Sequence, residues 1–306
     1  MFHEFALDPE VLKTWPAFRY LTDQFGMSHG RLISRFPNKW KRAVYEACEN
    51  TSPMDKSRIE EGLRRIDPKL FPSGREYDSA SEWIVNASRS HAEHPFRAII
   101  TSAERSGANG AIDHEFISDN TECWRPGLAP VRRQAAEMAA AAEKILRSSA
   151  EIVFVDQHFS CAARHGRPLA AFLEVALQGA TIKRLEYHVG CNNKTADWFR
   201  DSLSRQVKHL NLPSGIPLTF YRWNEKPGGE EFHARYILTE LGGLRFDVGL
   251  DDADDDRSLQ TTDVTAVDLE TLRQRRNEYH AESDAFALAD IWIVQDGEVW
   301  HKWPVA

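Results

Sequence analysis

The stretch Glu230-Glu231-Phe232-His233-Ala234-Arg235-Tyr236-Ile237-Leu238-Thr239-Glu240-Leu241-Gly242-Gly243 sets an imidazole and a guanidinium two positions apart in a run with strand character. Side chains on a β-strand alternate between faces, so His233 and Arg235 are expected on the same face. Such a pair suits a phosphate, the imidazole serving as nucleophile or proton donor and the cation contacting a non-bridging oxygen. Glu240 follows Arg235 by five residues and is expected just past the strand end, where it can orient or balance the pair. The plain alternative is a strand histidine satisfied by its neighbours.

Further polar residues stand at the ends of expected strands. Ile152-Val153-Phe154-Val155 is an apolar run that leads into Asp156-Gln157-His158. His188 and Arg222 close two further runs, and ligands of open α/β sheets sit at the carboxyl edge. Asp156, His158, His188 and Arg222 are therefore expected to line a phosphate- or ligand-binding cleft. Asp156, His158 and His165 are metal-ligand types, but no third-ligand spacing supports them, so neither a metal nor another cofactor is expected. In the N-terminal part, His29 to Arg42 carries Arg31, Arg35, Lys39, Lys41 and Arg42 with Phe36 and Trp40 between them and no acid. Cations interleaved with aromatics suit a nucleic-acid backbone and its bases; the alternative has both aromatics in the core and the cations on a solvated face. The five aspartates within 251–256 lack the alternation of a calcium loop and read as a solvated loop.

The elements that must position these residues follow from pattern. Residues 8–50 read as helical, with Leu12, Trp15, Phe18, Leu21 and Phe25 at helical spacing and a second helix over 39–48. Helices are also expected at 55–66 and 79–91, and a single strand at 95–100. The Gly-, Asn-, Asp- and Pro-rich stretch from Ser106 reads as a connector. An alanine-rich helix over 131–148 follows. Strands near 152–155, 182–189, 218–223, 233–239 and 244–248 then alternate with helices at 168–178 and 195–209, which predicts βαβ units and a mostly parallel sheet. A last helix is expected from Asp268 to about Ala289, then a hairpin at Asp296-Gly297. The predicted organisation is a mainly helical N-terminal domain with a basic face (1–105), a connector (106–130) and an α/β domain (131–306).

The bulk numbers agree with a globular chain. Its 306 residues fit two domains of roughly 150 residues each. The net charge of -8 argues against a protein that coats nucleic acid over its whole surface. Cys48, Cys123, Cys161 and Cys191 form no C-x-x-C pair, and no basic and apolar leader opens the chain, so reduced thiols in a cytoplasm are expected. No stretch approaches the roughly 20 apolar residues of a membrane span.

The spacing of His233, Arg235 and Glu240 resembles the H-x-K-x4-D signature of the phospholipase D superfamily, with arginine for lysine and glutamate for aspartate. Arg245-Phe246-Asp247-Val248-Gly249-Leu250-Asp251 resembles the strand that carries that family's downstream glycine. His-x-Arg followed by Gly-Leu-Asp is also similar to the phospholipase D-like C-terminal domain of microtubule-interacting-and-trafficking proteins, a membrane- or partner-binding module without hydrolase activity. The resemblance covers about residues 150–290. It implies a histidine nucleophile, a phosphohistidine intermediate, a second histidine that protonates the leaving group, and no metal. His165-Gly166-Arg167 begins like a second motif, yet Phe172 stands at its acid position. Single-motif members pair two histidines across a dimer, so a homodimer is expected. The expected function is binding, with cleavage as its extension, of a nucleic-acid phosphodiester in phage defence or nucleic-acid processing, with an ATPase or helicase as a partner. The alternative is an inactive adaptor for an acidic lipid, a nucleotide or a protein.

Overall fold

A computed structural model of the chain describes residues 2–117, 122–124, 129–192, 194–233, 235–253 and 259–302. The chain divides into two compact units, residues 2–127 and 128–306. The expected connector does not survive as a whole, because part of it is a strand of the first unit. Residues 118–121 and 125–128 of that connector lie outside the described residues.

The first unit comprises β1 (His3–Leu7), α1 (Trp15–Asp23), β2 (Arg31–Ser34), α2 (Trp40–Ala47), α3 (Pro53–Arg65), β3 (Leu70–Phe71), α4 (Trp83–Glu93), β4 (Ile99–Thr101) and β5 (Ala111–Asp113). Its strands form a five-stranded sheet in the order β3-β2-β1-β4-β5, parallel throughout. This corrects the mainly helical domain expected here. The helices at 39–48 and 55–66 are present as α2 and α3, but β2 falls inside the stretch read as helical. Its apolar content is Leu32-Ile33 alone, too short a run to break a helical pattern. Gly26 and Gly30, with φ of 142° and 65°, turn the chain into it. The helix starts follow local chemistry. Thr14 caps α1 by accepting from Ala17 N, and Ser52 caps α3 by accepting from Asp55 N. The core gathers Phe5, Leu7, Phe18, Phe25, Ile33, Trp40, Ile59 and Ile100.

The second unit comprises β6 (Ala129–Arg132), α5 (Ala135–Ser148), β7 (Glu151–Asp156), α6 (Ala163–Leu177), β8 (Arg184–Gly190), α7 (Ala196–Gln206), β9 (Leu218–Asn224), β10 (Arg235–Thr239), β11 (Gly243–Phe246), β12 (Thr261–Ala266), α8 (Leu269–Glu278), β13 (Ala287–Gln295) and β14 (Glu298–Lys302). They build a nine-stranded sheet ordered β14-β13-β9-β8-β7-β10-β11-β12-β6. Parallel pairing is confined to β7, β8 and β9; every other pairing is antiparallel. The mostly parallel sheet expected from the sequence is thus a mixed one. The cause lies in connection length: β10 to β11 and β13 to β14 are joined by turns too short for a parallel crossover. The last predicted helix also ends early, at Glu278, and the apolar run from Ala287 is β13.

Strand alternation sorts the second unit's core into two faces. Phe154, Tyr187 and Phe220 stack in a row under α6 and α7, with centroids 5.6 Å apart at each step. Val153, Val155, Trp223, Tyr236 and Leu238 form the other face, packed with Leu272 of α8 and with Tyr279 and Phe286. Asp296 and Gly297 have φ of 51° and 80°, the left-handed pair that a two-residue hairpin turn requires.

Candidate functional site

The parallel strands β7 and β8 end at one edge of the second sheet, and β10, antiparallel to β7, begins there. Arg235, the first residue of β10, is the register partner of Asp156, the last of β7. Both share the face of Phe154 and Ile237. Asp156 is 1% exposed, and its carboxylate accepts from His158 N at 2.9 Å and Leu250 N at 2.8 Å. It therefore ties the strand end to the loop after β11. Gly249 suits that loop, because a Cβ there would lie 2.5 Å from Asp251 Oδ1 and displace that carboxylate, and 3.6 Å from Asp156 Oδ2.

Arg235 is the unusual group of this edge. It is half-buried, its Nε is buried without a partner, and its guanidinium makes no hydrogen bond or ion pair among the described residues. Three neighbouring arginines are neutralised. Arg133 and Arg164 both donate to Asp251, the former at 2.6 Å, and Arg167 holds Asp252 in a fork at 2.8 and 2.9 Å. Asp251 and Asp252 are buried, which corrects the solvated aspartate loop expected for them; Asp254, Asp255 and Asp256 lie outside the described residues. Their partners lie far away in sequence, and burial of the carboxylates is tolerated because each is matched by arginine.

His233 stands just before β10 and is exposed, with Nδ1 3.2 Å from the Glu231 carbonyl oxygen. His158 is exposed at the same edge. Glu240 is not part of this constellation. It lies at the far end of β10, roughly 16 Å from Arg235 at the usual rise of about 3.3 Å per residue. Its carboxylate accepts from Ala150 N at 2.7 Å and Glu151 N at 3.0 Å, capping the entry to β7.

His188 and Arg222 are likewise structural in this arrangement. His188 points to the α8 face, fully buried, and accepts at Nδ1 from Trp223 Nε1 at 3.0 Å. That contact leaves Nε2 to donate to Glu186 Oε2 at 3.3 Å. Burial holds the His188 imidazole below its ordinary value, although Glu186 pulls the other way. Burial pushes Glu186 up, but the hydrogen bonds from His188 and Arg184 outweigh it and bring the carboxyl to about 2. Arg222 does lie on the face of Asp156, but it is 1% exposed. It donates to Asp290 Oδ2 at 2.8 Å and to the Lys194 carbonyl at 2.5 Å.

Two further features stand at this edge, His165 and the pair Lys194 and Trp198, the pair not marked by the sequence pattern. His165, in the first turn of α6, is 4% exposed. Its Nδ1 lies 3.2 Å from Ser160 Oγ, and its Nε2 is buried with no partner among the described residues. Burial lowers its pKa, against the pull of Asp156 and Asp251. Lys194 and Trp198 enter at the start of α7, the ammonium 4.5 Å from the indole centroid. Both could have been sought from the rule that loops after parallel strands carry ligand contacts.

The basic run of the first unit is mostly committed to structure. Phe36 and Trp40 are buried in the core, so neither is available to stack a base. Arg31 donates to the carbonyls of Gln24 and Trp124 at 2.8 Å, Lys41 pairs with Asp67 and Arg42 with Glu46. Arg35 and Lys39 are exposed and have no acidic partner among the described residues. No group of three or more His, Cys, Asp or Glu able to hold a metal occurs among the described residues. No described helix is long and apolar enough to cross a membrane. In comparisons with known proteins, the chain matches no family model and no curated protein.

Proposed function

We propose that the second unit is a phospholipase D-like module that binds a nucleic-acid phosphodiester at the edge where β7 ends and β10 begins. The observation that carries this reading is Arg235, a half-buried guanidinium without a hydrogen bond or ion pair among the described residues. Leaving such a group without an anion is unfavourable, and a phosphate oxygen supplies the missing acceptor. The start of β10 beside the end of β7, and a glycine packed against the same carboxylates, support the resemblance seen in the motif. Where turnover occurs, His233 is the nucleophile, and a two-fold dimer brings a second histidine to the leaving oxygen. Arg35 and Lys39 are the cations of the basic run that remain open to a nucleic-acid backbone.

A second reading has its own support. His233 lies outside the strand and is exposed, and Glu240 is remote from it. The only contact on the imidazole among the described residues is the local one to Glu231, and no acid from another element holds it as a catalytic nucleophile requires. This favours an adaptor that holds an anionic ligand without cutting it. Purified full-length protein incubated with labelled oligonucleotides separates the two. Cleavage that persists in chelator and vanishes in His233→Ala, with binding kept, supports the enzyme. No cleavage, with binding weakened about tenfold or more by Arg235→Gln, supports the adaptor. Undiminished oligonucleotide binding by Arg235→Gln would remove the anion site itself.

A further inference from the structure

Trp198 is 41% exposed although it is among the largest side chains. It occupies the first turn of α7, where its backbone N–H donates to Thr195 Oγ1 at 3.2 Å, so the helix cap fixes the root of the indole. The next residue, Phe199, is buried against Phe220 at 5.9 Å, which places α7 on the face that Asp156 and Arg235 share. Because α7 follows β8 in a βα unit, its N-terminus opens at the edge where β7 and β8 end. The Lys194 ammonium lies 4.5 Å from the indole centroid and has no acidic partner among the described residues. Burial and the Arg222 guanidinium both lower its pKa.

The edge thus offers two cations without counter-ions among the described residues, Arg235 and Lys194, and one exposed ring held on a rigid helix start. From this we infer that the phosphodiester ligand is single-stranded nucleic acid, with a base stacked on Trp198 and the neighbouring phosphates shared between Lys194 and Arg235. Among the described residues the ammonium is held by the ring alone, so it can turn to a phosphate and free the indole face for a base. A duplex cannot use this platform, since its bases are stacked on one another, whereas every unpaired base offers a flat face. The inference rests on the phosphodiester reading and adds to it the strandedness of the ligand and two residues that recognise it.

The test uses the full chain and fluorescence anisotropy with short labelled oligothymidylate and oligouridylate, a duplex of equal length, inorganic phosphate as competitor, and phosphatidylserine–phosphatidylcholine vesicles. Either single strand is expected to bind more tightly than the duplex, and the two strands tell DNA from RNA. Trp198→Ala should weaken single-strand binding about tenfold, Trp198→Phe less, and neither should alter competition by phosphate. Lys194→Gln should reduce the salt dependence of binding by about one phosphate contact. The exposed indole leaves the core intact when removed, which a thermal melt of each variant checks. If phosphate competes and Arg235→Gln abolishes that competition while Trp198→Ala binds single strands like the wild type, the stacking site is wrong and the phosphodiester reading survives. If the wild type binds neither phosphate nor oligonucleotide, both fall. Equal binding of duplex and single strand, or preference for the vesicles, overturns the inference.

Discussion

Buried ionisable side chains in the second unit divide into those with complete partners and those without, and the two kinds should respond differently to perturbation. His188 is held neutral between the Trp223 indole N–H and Glu186. An unfolded chain takes up a proton near the ordinary imidazole value of 6.5, whereas the folded one resists because its pKa is lowered. Stability is therefore full above about 6.5 and falls as pH drops below it. Thermal melts between pH 7 and 5 should show a steeper loss for the wild type than for His188→Gln; parallel curves would contradict the assignment. The Glu186 carboxyl, at about 2, contributes only at lower pH, from its ordinary range down to that value, so the two effects are separable. Arg222 is partnered at its two terminal nitrogens, while its Nε is buried without a partner among the described residues. Its pair with Asp290 is almost fully buried, so Asp290→Ala should destabilise by about 3–5 kcal/mol in urea unfolding by stranding the cation.

At the level of strands and helices, position along an element decides which side chains can act together. Glu240 and His233 bracket β10 and face opposite ends of the sheet, so the motif spacing does not amount to a site of three. Glu240→Ala should cost about 1 kcal/mol through the freed amides of Ala150 and Glu151 and leave oligonucleotide affinity unchanged. A loss of affinity in a folded variant would return Glu240 to the site. Packing between elements sets another limit. A Cβ on Gly179, in the turn between α6 and β8, would lie 2.0 Å from the Arg147 carbonyl oxygen at the end of α5. Gly179→Ala should therefore lose about 1–3 kcal/mol, read as a lower urea midpoint at unchanged slope.

For the whole molecule, the division at residues 127 and 128 predicts that a fragment of residues 128–306 folds alone and keeps the anion site, because Arg235, Asp156, Lys194 and Trp198 all belong to it. A cooperative melt and wild-type competition by phosphate are the expected results; an unfolded fragment would show that the second unit depends on the first. The proposed two-fold dimer should appear as a doubled mass in light scattering at micromolar concentration. A monomer with cleavage intact would mean that one chain completes the site, and His165, with its unpartnered Nε2, would be the residue to substitute next.

Much of this architecture is written locally. The caps at Ser52, Thr195 and Asp268, the apolar run of β7 and the Asp296-Gly297 turn are properties of neighbouring residues and could be read directly. So could the closeness of His233 and Arg235 in the chain and the burial of Phe36 and Trp40, the latter as one of two alternatives. Strand direction, strand order and the neutralising partners could not. Arg133 and Asp251 stand 118 positions apart, and the pairing of Arg235 with Asp156 depends on β10 lying against β7 rather than β9. Periodicity tells which residues share a face of one strand, but inter-strand hydrogen bonds and ion pairs form between segments that no local pattern connects. Tertiary structure therefore decided that Glu240, His188 and Arg222 support the fold, and that Arg235, of the predicted cluster in the second unit, is a cation without a counter-charge among the described residues.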